Sequence, residues 1–559
     1  MRPKASLYLS VAVIGAALLL TVSPARLAAQ QTAPAGVTVG ESDLGGVVSG
    51  PNGPEAGVWV IAETTDLPTK FAMMVVTDDQ GRYLLPELPK ANYNGAERNV
   101  VVSVWDWSSP KAYLHDEIST DKRKPTVNAY GKLYGSTEES TDFFPVLDPK
   151  TNTATTVKMP VRDPKTPTSK DNSHGPSPYW GDEVIWDSQA SMHNPMMDET
   201  GRVWFTSRVG QFANPDFCRK GSDHPSAKLT PIEQSTRHLS MYDPRSGKIT
   251  LIRTCFPTHH LVFAEDADNT LWTSAGGPQS GVIGWLNRKT FDETGDEVKS
   301  QGWSALILDT NGNGQRDEGY VEPNQPVDPT KDKRIVAALY GIGVNPVDGA
   351  VWGSVLTFPG SVIRVSPGTN PPATTLAEIY DIPAPGYGPR GMDIDRKGVV
   401  WVPLSSGHMA SFDRSKCKGP LNGPNATGKH CPEGWTLYPF PGPQLQNVSE
   451  TGSAEASYYT WVDQFNTLGL GENVPMATGN ANESLLALVN GQWVNLRVPY
   501  PMGYYAKWMD GRIDDPNGGW KGRGLWSTFG NRTPFHVEGG KGTTPKVVRF
   551  QLRPDPLAR

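Results

Sequence analysis

The sequence predicts an all-β chain: a small antiparallel β-sandwich followed by a seven-bladed β-propeller, with six blades as the alternative. Three observations predict it. First, one phrase recurs four times: MMDETGRVWFT at 196–206, FAEDADNTLWT at 263–273, GVNPVDGAVWG at 343–353 and MDIDRKGVVWV at 392–402. Each copy has an acidic or Asn/Asp-Gly turn and then a Trp, so each reads as the inner hairpin of a radially repeated blade. Second, the chain holds 58 Gly, 50 Pro and 17 Trp among 559 residues, a mix suited to many short strands joined by turns. Third, apolar alternation broken by Asn-Gly and Gln-Gly turns marks the segments near the N-terminus as strands.

Taken in order, residues 1–29 form a signal peptide. Arg2 and Lys4 supply the positive end, residues 7–22 an apolar run, and residues 27–29 a small-residue cleavage site before Gln30. That run is short for a membrane anchor, so export to the periplasm or beyond is expected. No later segment is apolar enough to span a bilayer. The formal net charge of −6 is mild, and no basic run points to nucleic acid or an anionic membrane.

Residues 30–40 read as a polar linker, and residues 41–160 as the sandwich. Thr77, Asp78, Gly81 and Tyr83 fit the T-D-x-x-G-x-Y phrase, and the segment resembles the carboxypeptidase regulatory-like family over its first two-thirds. In place of that family's final Gly-x-Tyr strand stands NYNGAERNVVVSV. The resemblance implies a supporting or binding module, not a catalytic one. Trp105 and Trp107 lie two apart on a strand and so share a face. They form either a stacking platform for carbohydrate or a packing face toward a neighbouring domain.

Residues 161–180 are rich in Pro, Ser and charge and read as a linker. Residues 181–559 make the propeller, at roughly 45–55 residues per blade. The phrases at 202–206 (RVWFT) and 362–367 (VIRVSP) are similar to the repeats of streptogramin-lyase-like propellers, over most of residues 190–440. That resemblance implies a channel-mouth histidine acting with a metal held by acidic residues. His260 with nearby Glu265 is the echo of it.

Four cysteines in an exported chain read as two disulfides, for which three pairings exist. Proximity favours Cys417 with Cys431, which leaves Cys218 with Cys255. No CxxC or Cys/His cluster favours metal ligation, and no CxxCH is present for covalent haem.

A propeller gathers its inner strands around an axis and binds ligands at the mouth. Counting back from the repeat Trp residues finds His193, eleven before Trp204, and His260, twelve before Trp272, with His259 beside it. The same count finds Tyr340, twelve before Trp352, and Arg390, eleven before Trp401. SYYTWVDQF and GYYAKWMDGR add Tyr459, Tyr505 and Lys507, with Asp463 and Asp510 further along. His193 and His260 are the candidate catalytic or metal-binding groups, because neutral imidazole ligates metals and takes protons near neutral pH. Tyr340, Arg390, Tyr459, Tyr505 and Lys507 are the candidate ligand contacts.

The stretch from Asp309 places Asp309, Asn311, Asn313, Gln315, Asp317 and Glu318 in the pattern of a calcium loop, with Gly314 at position six. Tyr320 stands where the bidentate Glu belongs, so Glu318 or Glu322 is the expected substitute. The alternative is an ion-free Asn-Gly turn. Three functions follow: binding of a small ligand or protein partner at the mouth, in an accessory role to a periplasmic system; a metal-assisted lyase or hydrolase using His193 and His260; and carbohydrate binding led by the sandwich.

Overall fold

The computed structural model describes residues 36–40, 42–64, 67, 71–88, 100–109, 116–172, 186–274, 281–442, 444, 447–448, 452–498, 504–529 and 545–558. The signal-peptide segment lies outside them. Among the described residues the chain is all-β apart from short helices, and no helix is long and apolar enough to cross a membrane.

The architecture follows from one local device. In the repeated hairpin, Asp198 Oδ1 accepts the backbone N–H of Thr200 (2.9 Å) and Arg202 (3.1 Å), which folds the turn. Its Oδ2 accepts Trp204 Nε1 at 2.9 Å, which fixes the indole over the hairpin. Gly201 supplies the left-handed corner, with φ 83°. Burial by itself would raise the Asp198 carboxyl, but the bonds from Thr200 and Trp204 and the Arg202 charge hold it below the usual range. The same set recurs at Asp395, Gly398 and Trp401, where the indole bond is 3.2 Å. Asp78 and Gly81 make the same turn near the N-terminus, with Asp78 accepting from Gln80 and Arg82 at 2.8 Å each.

These hairpins grow into antiparallel units of successive strands. One begins at His193–Met197 and ends at Lys248–Ile252. The next runs from Leu261–Phe263 to Gln301–Leu308, and the next from Leu339–Val344 to Leu376–Asp381. These two join at their outer edges through a parallel bridge, Leu308 to Ala377. Further units run from Asp393–Ile394 to Trp435–Pro439 and from Thr460–Asp463 to Gln492–Arg497. The first strands touch in sequence around a closed ring, Met509–Ile513 packing back on Glu117–Ile118. That ring is a β-propeller arrangement, with apolar cores such as Phe144, Trp204, Phe205 and Phe263 between neighbouring units.

Two features differ from the sequence expectation. Residues 117–158 do not belong to a free sandwich. They form a four-stranded unit from Glu117–Ile118 to Thr153–Lys158, seated in the ring between His193–Met197 and Met509–Ile513. The unit that begins at Met509–Ile513 is completed by Val100–Asp106, which pairs with Lys546–Leu552 along its whole length. Phe71–Val76 and Trp59–Thr64 then extend the same sheet outward. The cause is apolar: Val100, Val101, Val102, Val104 and Trp105 are buried on both faces of that sheet, so the strand is an interior one.

The expected linker is also packed where it is described. Ser169 is fully buried, and its hydroxyl donates to the Glu139 carbonyl at 2.6 Å. Trp105 and Trp107 offer no stacking platform, because both are buried. Trp105 donates to Asn152 Oδ1 at 2.8 Å and packs on Phe71 and Trp526. Both disulfides are present as paired on proximity, Cys218–Cys255 and Cys417–Cys431, with Cα separations of 5.3 and 5.1 Å.

One end of the ring is bridged by the loop between Glu117–Ile118 and Leu133–Gly135. Arg123 donates to the Ala264 carbonyl (2.6 Å), Asn269 (2.9 Å) and Glu199 (3.1 Å), reaching two neighbouring units. Lys122 pairs with Asp393 across the axis. Tyr130 N–H meets Asp514 at 2.6 Å, and the Pro125 carbonyl accepts from Ile513 at 2.8 Å.

Candidate functional site

The opposite end, where the inner strands begin, gathers side chains from successive units. His193 opens its strand, while His259 and His260 immediately precede Leu261–Phe263. The His193 and His259 rings stack at 4.7 Å, the His193 and His260 centroids lie 5.1 Å apart, and His259 and His260 4.2 Å apart. One nitrogen from each lies within 4.8 Å of the others. Behind them, His193 Nδ1 is 3.6 Å from Asp116 Oδ2 and 3.7 Å from Glu138 Oε1.

The tautomer of His260 follows from its neighbour. Nδ1 lies 2.8 Å from the Tyr340 carbonyl, which only accepts, so Nδ1 carries the proton and Nε2 is the lone-pair nitrogen of the neutral ring. A tetrahedral ion with bonds of about 2.0–2.1 Å sets its ligand nitrogens about 3.3 Å apart. Small inward rotations of the three rings would therefore meet a divalent metal, with Asp116 and Glu138 behind as carboxylate partners of the kind that orient ligating imidazoles. Glu265 plays no part: it is paired with Arg396 on the surface.

Across the mouth, Tyr340 hydroxyl accepts from Arg390 (3.1 Å) and donates to Tyr458 hydroxyl (3.0 Å). Arg390 also lies over the Tyr458 ring at 4.2 Å. Tyr459 packs edge-on against His260 at 5.4 Å and Trp508 at 4.7 Å. Burial pushes the Tyr340, Tyr458 and Tyr459 phenols above their usual value, so they stay protonated donors near neutral pH. Lys507 is buried, with Nζ 5.3 Å from the Tyr458 ring. Tyr505 borders, with Arg390, Tyr458, Glu455 and Asn480, a side recess of about 280 Å³ next to this group.

A cavity of about 810 Å³ opens beside the histidines, bordered by Glu138, Arg237, His259, Tyr340, Val336 and Leu356. Arg237 is held by Glu138 (3.2 Å) and Ser191 (2.9 Å). Val336 and Leu356 form a half-exposed apolar lip. Of the sequence candidates, His193, His260, Tyr340, Arg390, Tyr459 and Lys507 come together here. Asp463 does not: it accepts from Thr467 and Leu468 and locks its own turn.

Sequence reasoning missed Asp116, Glu138 and Tyr458. Asp116 and Glu138 belong to a unit that lacks the repeat Trp. A signal was present: LDPKTNTA repeats YDPRSGKI, and both close the same turn, pairing Asp148 with Thr153 and Asp243 with Lys248. Tyr458 precedes its strand, where the two-residue alternation does not yet hold.

Below the mouth, Glu117 and Asp510 are buried together between the units of the ring, with Ser119 donating to Asp510 through its amide (3.0 Å) and hydroxyl (2.7 Å). Burial first, then the Asp510 charge, pushes the Glu117 carboxyl well above its ordinary 4.5. An acid raised in this way favours the fold below its unfolded value and loses that contribution as pH rises toward its folded value. Glu117→Gln is therefore expected to flatten the fall in stability above about pH 4.5. Urea midpoints measured from pH 4.5 to 8 check this, and an unchanged slope would count against a protonated Glu117.

No family model matches the chain, and no curated protein matches it. Among solved structures it is similar to a virginiamycin B lyase from Staphylococcus aureus, at 10% identity and TM-score 0.45, covering 81% of this chain and 100% of that one. It is also similar to YCF48 from Cyanidioschyzon merolae, at 8% identity and TM-score 0.40, covering 80% and 98%. A third is YCF48 bound to D1 peptide, at 10% identity and TM-score 0.39, covering 79% and 93%.

Proposed function

We propose that the chain is an exported, seven-bladed propeller protein, accessory to a periplasmic system, that binds a small ligand or a segment of a protein partner at the mouth of its axis. In this reading Val100–Asp106 completes the last blade, residues 117–158 make the first, and residues 44–88 form a regulatory-like module fused to the last blade's edge. The observation that carries the reading is the asymmetry of the axis. One end is bridged by Lys122 and Arg123, while the other collects histidine, tyrosine and arginine side chains beside a cavity of about 810 Å³. The lining suits a ligand with an apolar body, met by Val336 and Leu356, and an acceptor end, met by Arg237.

Native mass spectrometry of the protein purified from its own host tests this. A small molecule or peptide should accompany the wild type and leave the Arg237→Ala and His259→Ala variants, with thermal midpoints little changed. Retention of the bound molecule by both variants would sink the assignment.

A second reading, a metal-assisted lyase or hydrolase, rests on the three imidazoles. A divalent ion held there would polarise a ligand oxygen, while Tyr340 and Arg390 donate to the developing charge. After loading with zinc, copper or manganese, one ion per chain is expected, lost when His193 and His260 are both replaced by Ala. No uptake above the double variant removes this reading.

A further inference from the structure

Far from the mouth, the loop that follows Gln301–Leu308 is folded around one point. Asp309 is buried and accepts three backbone N–H groups, from Gly312 (2.7 Å), Asn313 (3.1 Å) and Gly314 (2.9 Å). Asn311 and Asn313 both turn their amides to the Asp317 carboxylate, at 2.6 and 3.1 Å. These contacts alone describe a tight polar turn.

A second observation comes from outside the loop. Asp332 is fully buried, at the start of the strand Asp332–Ile335. Its Oδ2 accepts the Asp317 N–H at 2.8 Å, while its Oδ1 meets no hydrogen-bond partner among the described residues. Burial and the Asp317 and Asp309 charges raise the Asp332 carboxyl despite the Arg316 charge nearby, and leaving its second oxygen unmatched there is costly unless a further cation completes the arrangement. The substitutes expected from the linear motif do not serve: Glu318 is exposed, and Glu322 pairs with Arg334 at 3.2 Å.

We propose that this loop binds one calcium ion through Asp309, Asn311, Asn313 and Asp317, with Asp332 closing the shell in place of the Glu that Tyr320 displaces. Hard oxygen donors, two side-chain amides and three carboxylates suit calcium in number and kind. The Oδ1 atoms of Asn311 and Asn313 accept the backbone N–H groups of Asn313 (2.9 Å) and Gln315 (2.7 Å), and each amide oxygen keeps a second lone pair to offer the cation. The site lies at a junction. Gly423, within the loop closed by Cys417–Cys431, donates to the Asp309 carbonyl at 2.8 Å, and Arg316 donates to the Thr375 carbonyl at 3.2 Å. Calcium there ties the outer edges of three units together.

The test is calcium titration of the chelator-treated whole chain by calorimetry and thermal scanning, with terbium luminescence as a second readout. One ion per chain is expected, with a rise in midpoint of about 4 °C at saturation. Asp332→Asn keeps an acceptor for the Asp317 N–H, so it should fold while binding roughly tenfold or more weakly. Asp309→Ala should abolish binding, and if that variant fails to fold, the wild-type titration and Asp332→Asn decide the matter. A wild type with neither heat, midpoint shift nor terbium signal overturns the site, and Asp332→Asn binding as tightly as wild type overturns the role of Asp332.

Discussion

A chain beginning at residue 110 is expected not to fold to a stable monomer, although it retains every repeat Trp and the whole mouth. It lacks Val100–Asp106, the partner of Lys546–Leu552 from Asp106↔Lys546 to Val100↔Leu552. Val100, Val101, Val102, Val104 and Trp105 are all buried there. At about 1.5–3 kcal/mol for each buried apolar side chain, together they contribute about 8–15 kcal/mol, as much as the net stability of an ordinary domain. The exposed Lys546–Leu552 edge would also pair with other chains. Size-exclusion chromatography and circular dichroism check this against a chain beginning at residue 30, which keeps the closing strand together with Phe71–Val76 and Trp59–Thr64 outside it and should remain monomeric. A residue-110 chain that is monomeric with an unchanged midpoint would remove the closure role of Val100–Asp106.

The second large effect is at Trp204. Its indole is fully buried, bonded to Asp198 and edge-on to Phe263. Trp204→Ala is expected to cost about 3–5 kcal/mol, from lost transfer energy and the cavity left behind. Trp401 occupies the same place in its own repeat and makes the same bond to Asp395, but it is only partly buried. Trp401→Ala should therefore cost clearly less. Denaturant unfolding of the two variants measures the difference. Equal losses would show that the shared turn bond, and not burial, sets the value of the repeat Trp.

The parts of the fold legible in the sequence are those built by neighbours in the chain. Asp198, Gly201 and Trp204 lie within one turn and its hairpin, so their chemistry leaves a readable phrase wherever it recurs. The phrase sets the register of the inner strands, and with it the approximate place of His193, His260, Tyr340 and Arg390. The unit at 117–158 lacks the Trp and carries only the outer-turn phrase LDPKTNT, so its place in the ring was hidden. Asp116 and Glu138, the acids behind His193, were hidden with it.

The sequence by itself determined that the chain is all-β and repeating and which strand entrances bear histidine, tyrosine and arginine, and it favoured the cysteine pairing that the structure shows. Hairpin turns, short loops and residue alternation act over a few residues, and the chain order records them directly. Only the tertiary structure decided that Val100–Asp106 closes the last unit, that Trp105 and Trp107 are buried, and that Asp332 faces the Asp309 loop. Each of these depends on a partner distant along the chain: Lys546–Leu552, Asn152 with Trp526, and Asp317 held by a long excursion of the loop. A strand or an indole has the same local sequence whether it meets water or another strand, and burial is settled only when the ring closes and removes the water.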